Sequence, residues 1–231
     1  MGSESKSFPS PPSQLTSARV VVRGNQVSDL RKLMEVALVF GLILVAVWTQ
    51  QGELNTAVSW AALFSTVALT LFSRYSLQEL GLARPLSGAA VMLALGALFV
   101  LIIAAIGAFA RVLGPSQPLP WHRAWQYAIW ALLQQFILQS FIYVRLESIF
   151  GSWRALLIAS GLFSVAHLPS PALTLLSLMG ALFFCEMFRR YRNIFPLGLI
   201  HAALGLTIAA SLPDHVLHHM RVGIGYLMYH A

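Results

Sequence analysis

The stretch WHRAWQYAIWALLQQFILQSFIYVRL, residues 121–146, decides how the chain is read. It is apolar over a length that can cross a hydrocarbon core of roughly 30 Å. Yet it carries Gln126, Tyr127, Gln134, Gln135, Gln139, Ser140 and Tyr143. At about 100° per residue, Gln135, Gln139 and Tyr143 fall on one helical row, with Gln134 and Tyr127 bordering it. Gln126 falls on the opposite face near the helix end, where water or headgroups satisfy it. An amide row at depth cannot face lipid, so this helix needs neighbours. The reading is all-α: a polytopic transmembrane bundle of seven or eight helices.

The rest of the chain repeats the pattern. Apolar blocks lie at 33–48, 57–72, 88–110, 153–168, 172–188 and 194–210, and a shorter segment at 215–229 is expected to be a short or interfacial helix. Pro85, Pro115, Pro120, Pro169, Pro171 and Pro196 mark the joints. Composition agrees: 58% of residues are hydrophobic and 10% charged, too little charge to coat a soluble globule. Residues 1–25 are rich in Ser and Pro and are expected to be a disordered tail, followed by a membrane-embedded unit over 26–231. No internal repeat of the inverted-transporter kind is found.

A net charge of +7 raises the question of nucleic acid. The basic residues sit at block ends instead of forming a stripe, so no nucleic-acid partner is expected and topology explains them. With the N-terminus inside, Lys6, Arg19, Arg23, Arg31, Lys32, Arg74, Arg84, Arg145, Arg154, Arg189, Arg190 and Arg192 lie on the cytoplasmic side, and Arg111, Arg123 and Arg221 on the other. The single cysteine, Cys185, excludes an intramolecular disulfide and reads as a packed thiol. No CxxC pair exists, and neither a metal nor a cofactor is expected.

Two further blocks carry imidazoles. Phe163-Ser-Val-Ala-His167-Leu168-Pro169 ends one, and Pro196-Leu-Gly-Leu-Ile-His201 opens another. Each histidine taken alone reads more often as a satisfied core residue than as a ligand. Gly198, Ala202, Gly205 and Ala209 form a small-residue row that permits close helix approach around His201.

In order and placement these segments resemble the CPBP group of intramembrane proteases, which includes the CAAX prenyl endopeptidases and bacteriocin-processing homologues. The resemblance covers about 121–210. That family's first motif is E-E-x-x-x-R, its second F-x-x-x-H, and its third H-x-x-x-N or H-x-x-x-D. The resemblance implies peptide hydrolysis in a bundle cavity, with glutamate activating water and histidine and asparagine stabilising the oxyanion. It also implies a bacterial inner (plasma) membrane location. Phe163 and His167 match the second motif, while His201 and Gly205 match half of the third. The first aligns as Gln134, Gln135 and Gln139, so both glutamates and the arginine are glutamine.

Glutamine has no proton-abstracting form near neutrality, so a glutamate-driven hydrolysis lacks its base. Loss of the arginine is coherent with that, because a buried guanidinium without its carboxylates is costly. Glu147 is expected at an interface and Glu186 in a helix-surface pair with Arg189 and Arg190, so neither replaces the base. The leading expectation is a binding or accessory protein with a neutralised site, in contact with membrane lipids and holding a lipid-modified peptide, a hydrophobic small molecule or a partner transmembrane helix. One alternative is an active endopeptidase using His167 and His201. Another is a metal oxidoreductase built on His215, His218 and His219, whose H-x-x-H-H spacing suits iron.

Overall fold

The computed structural model describes residues 14–110 and 124–229, with 14–27 and 110 as backbone only. Among the described residues every regular element is helical. The main helices are α1 (Gln14–Trp48), α2 (Glu53–Leu71), α3 (Ala89–Ala110), α4 (Ala124–Phe150), α5 (Ser152–Val165), α6 (Pro171–Tyr191) and α7 (Phe195–Ser211). The seven apolar blocks thus become seven helices. Residues 1–13 of the expected tail and the joint at 115–120 lie outside the described residues, and α1 is already helical from Gln14, where the tail was expected to run to 25.

Local chemistry sets the ends. Gly151 turns between α4 and α5 at φ 79°, a region that a side chain disfavours. Ser170 caps α6, its hydroxyl accepting from Leu173 N–H, and Pro171 follows at the first position, where no N–H is needed. Pro196 stands one place further in, at the second position of α7, still within the first turn, where no N–H partner is lost.

Among the described residues, four helices, α2, α3, α4 and α6, are long and apolar enough to cross a membrane, while α5 and α7 are apolar but shorter. Their outer faces carry bare apolar side chains such as Phe64 (64% exposed) and Leu101 (66%). Water would not tolerate so much contiguous apolar surface, and lipid does. The chain is an integral membrane protein.

Packing centres on α7. Its side chains meet α3 where Gly96 leaves room for Ile200, and α4 where Gly198 lies beneath Leu132. Small residues therefore act as the sequence pattern anticipated, letting helices approach where lipid gives no hydrophobic drive. A second lock fixes α4 to the first two helices. Arg145 is fully buried, donating from Nε to Glu35 Oε2 of α1 (2.8 Å), from Nη2 to Leu69 O of α2 (3.0 Å) and from Nη1 to Phe141 O (3.1 Å). Its guanidinium also lies 3.8 Å from the Phe141 ring centroid. Every buried donor group of this cation thus has a partner, which is the condition for keeping a charge inside a bundle.

The segment after α7 is not one helix. It breaks into α8 (Asp214–Leu217), a single turn at His218–Met220, and α9 (Gly223–Leu227). Gly223 is the pivot: its N–H donates to Leu168 O (2.7 Å), its φ is 56°, and a β-carbon there would collide with Val47 O. The segment is thereby pinned between the end of α1 and the loop after α5.

Candidate functional site

α4 is not a uniform α-helix. Phe136–Tyr143 is π-helical, and the Val144 N–H reaches back to Gln139 O, five residues away. A π segment widens the turn, so the residues beyond it leave the face that a period of 3.6 assigns them. The three-membered row expected from spacing is corrected accordingly. Gln135 and Gln139 remain neighbours, but Tyr143 turns elsewhere and donates to Glu147 Oε1 (3.1 Å) and Ser152 O (3.4 Å).

The two buried amides form a chain ending on an imidazole. Gln139 Nε2 donates to Gln135 Oε1 (3.4 Å), which leaves Gln135 Nε2 facing His201 Nδ1 (3.1 Å). An amide nitrogen can only donate, so His201 Nδ1 accepts and its proton sits on Nε2. Gln139 Oε1 is left buried with no hydrogen-bond partner. On α5 the reverse holds. His167 Nδ1 contacts Phe163 O at 2.7 Å, and because a carbonyl can only accept, Nδ1 carries the proton and Nε2 keeps its lone pair. The Phe163 ring touches both histidines, with centroids 4.8 Å from His167 and 5.9 Å from His201.

These side chains surround a cavity of about 730 Å³. Gln134, Phe163, His167, His201 and Gly205 line it; Gln135 and Gln139 stand behind its wall. Its floor comes from α6 near Gly180, and Met220 and Val222 of the C-terminal segment close the end beside His167. Trp60 of α2 and Trp130 of α4 line it as well while remaining 53% and 51% exposed, so the cavity opens sideways between those helices.

Spacing put Tyr127 at the border of the amide row but did not assign it to the site, whose cavity it lines. A β-carbon on Gly205 would collide with the Tyr127 hydroxyl, so the phenol stands where a side chain at 205 would begin. The available signal was the pairing of an oversized polar residue in one apolar block with a glycine in another.

Glu147 and Glu186 are engaged elsewhere. Glu147 pairs with Arg192, and Glu186 with Arg189 (2.7 Å) and Arg190 (2.5 Å), the helix-surface pair expected from their spacing. Cys185 is buried beside Ser160 and Gln139. His219 pairs with Asp214 (2.8 Å), and His218 packs on Tyr226 and Tyr229. Among the described residues no three His, Cys, Asp or Glu side chains are grouped to hold a metal ion, so the oxidoreductase alternative finds no ligand set.

Residues 116–207 match the family model described as type II CAAX prenyl endopeptidase Rce1-like. No curated protein and no solved structure matches the chain.

Proposed function

We propose, on the premise that residues 116–207 carry the Rce1-like signature of the CPBP group, that this chain is a binding member of that group whose proteolytic site is neutralised. In this reading it is a membrane accessory protein, holding the apolar part of a lipid-modified peptide or a partner's transmembrane helix in its cavity without cutting it. The observation that carries the reading is the state of the first motif. Gln134 lies on the cavity wall and Gln135 is held against His201, where the resemblance would place the water-activating carboxylates. Neither amide can take a proton from water. The third substitution fits, since Gln139 completes an uncharged chain where a guanidinium would have no acid to meet.

Orientation belongs to the same proposal: the N-terminus is cytoplasmic, as the clustering of Arg74, Arg84, Arg154, Arg189 and Arg190 on the corresponding side supports, and the membrane is a bacterial inner membrane.

A second reading rests on a separate observation. His167 presents an unprotonated Nε2 to the cavity that His201 also lines, an acceptor and a donor suited to hydrolysis without a carboxylate. Charge restoration separates the two. Purified natural protein and a Gln134→Glu, Gln135→Glu, Gln139→Arg variant are each incubated with a prenylated peptide. The accessory reading expects cleavage only by the variant. Cleavage by the natural protein that disappears on His167→Ala transfers the assignment to the second reading.

A further inference from the structure

Among the described residues, the cavity lining includes no Asp, Glu, Lys or Arg. Any formal charge that entered would lose its hydration with no opposite side-chain charge to receive it, whereas an uncharged polar group needs only hydrogen-bond partners. Among the uncharged polar side chains on the wall are His201, His167 and Tyr127, and the roles of the two imidazoles are fixed by what lies behind them. His201 Nδ1 is taken by Gln135, so His201 offers an Nε2–H donor. His167 Nδ1 is taken by Phe163 O, so His167 offers an Nε2 acceptor. Tyr127 makes no hydrogen bond to a described residue, and its hydroxyl stands over the bare Gly205 as a second donor.

From this we propose, resting on the non-cleaving reading above, that the cavity selects an apolar chain ending in a neutral amide-like head. Its carbonyl oxygen accepts from Tyr127 and His201, and its N–H donates to His167. Tyr127 is then a specificity residue that takes over the place left by Gly205. The surroundings fit the rest of such a ligand. The volume of about 730 Å³ lies within the usual range for small-molecule sites. The side opening flanked by Trp60 and Trp130 admits a chain from the bilayer, and aromatic flanks suit a ligand that is apolar at one end and polar at the other.

The test uses three probes with one tail: 9,10-dibromostearamide, dibromostearate and dibromostearylamine. Bromine quenches indole fluorescence at close range, and Trp130 on the wall provides the reporter, with Trp130→Phe identifying its share of the signal. The full chain in detergent is expected to bind the amide at least about ten-fold more tightly than either charged probe. Tyr127→Phe is expected to weaken the amide about 2–10-fold, the loss of one hydrogen bond, without changing the other two or the thermal transition. Equal or tighter binding of stearate would mean that protonated imidazoles receive an anion and would overturn the proposal, as would an unchanged amide affinity in Tyr127→Phe. The recovered probe separates the two claims: amide bound selectively but returned as stearate sustains the head-group selectivity and overturns the non-cleaving reading.

Discussion

Gln135 is fully buried, and both ends of its amide are used: the oxygen by Gln139 and the nitrogen by His201. Gln139 is buried as deeply but keeps an orphaned oxygen. The two glutamines differ, then, in what their removal leaves behind. Gln135→Leu strips a partner from both Gln139 and His201 and is expected to cost about 1–3 kcal/mol. Gln139→Met removes an unsatisfied carbonyl along with one long hydrogen bond, so its cost is expected to be the smaller. Reversible denaturation in mixed micelles checks the order, and equal losses would remove the chain's directionality. The residue types were legible in the sequence, since amides at depth demand partners. The partner was not, because nothing in the spacing says that Gln135, instead of Gln134, meets His201 and that Gln134 faces the cavity.

Between helices, the strongest single fixing point is Arg145. Breaking a buried pair strands a charge, so Arg145→Met, which leaves Glu35 only the exposed Arg31 (2.9 Å) as a partner, is expected to cost up to about 3–5 kcal/mol, and adding Glu35→Leu to recover part of it. Denaturant titration of both variants checks this; no recovery in the double variant would mean that the backbone carbonyls of Leu69 and Phe141 dominate the site. Close approach makes a second demand, since Gly198 has Leu132 Cα only 3.2 Å from where its β-carbon would stand. Gly198→Leu is therefore expected to push α4 from α7 at about 1–3 kcal/mol, read as a lowered thermal midpoint. At this scale hydropathy located the seven main helices, because length and apolarity are local properties. It could not locate the π segment, which fits a period of 3.6 in its letters and departs from it only through packing. Nor could it show that 215–229 is broken, since the left-handed backbone at His218 and His219 depends on the contacts of that segment with Tyr226, Tyr229 and Asp214.

For the molecule as a whole, topology and site are linked: the side opening of the cavity lies toward the α1–α2 turn, and Arg192 toward the opposite end. With the proposed orientation, a cysteine at Gln51 is expected to react with an impermeant maleimide from outside intact cells, and one at Ser152 only after the membrane is opened; the reverse pattern would invert the bundle. The central claim is that the chain retains a protease's cavity without its acid. It is tested most directly by reconstituting the natural protein with a prenylated peptide, re-isolating the complex and weighing the peptide by mass spectrometry. Recovery of the intact peptide with the protein, in an amount that falls when Tyr127 or His201 is replaced, is the expected result. Shortened peptide, produced at a rate that depends on His167, would contradict it.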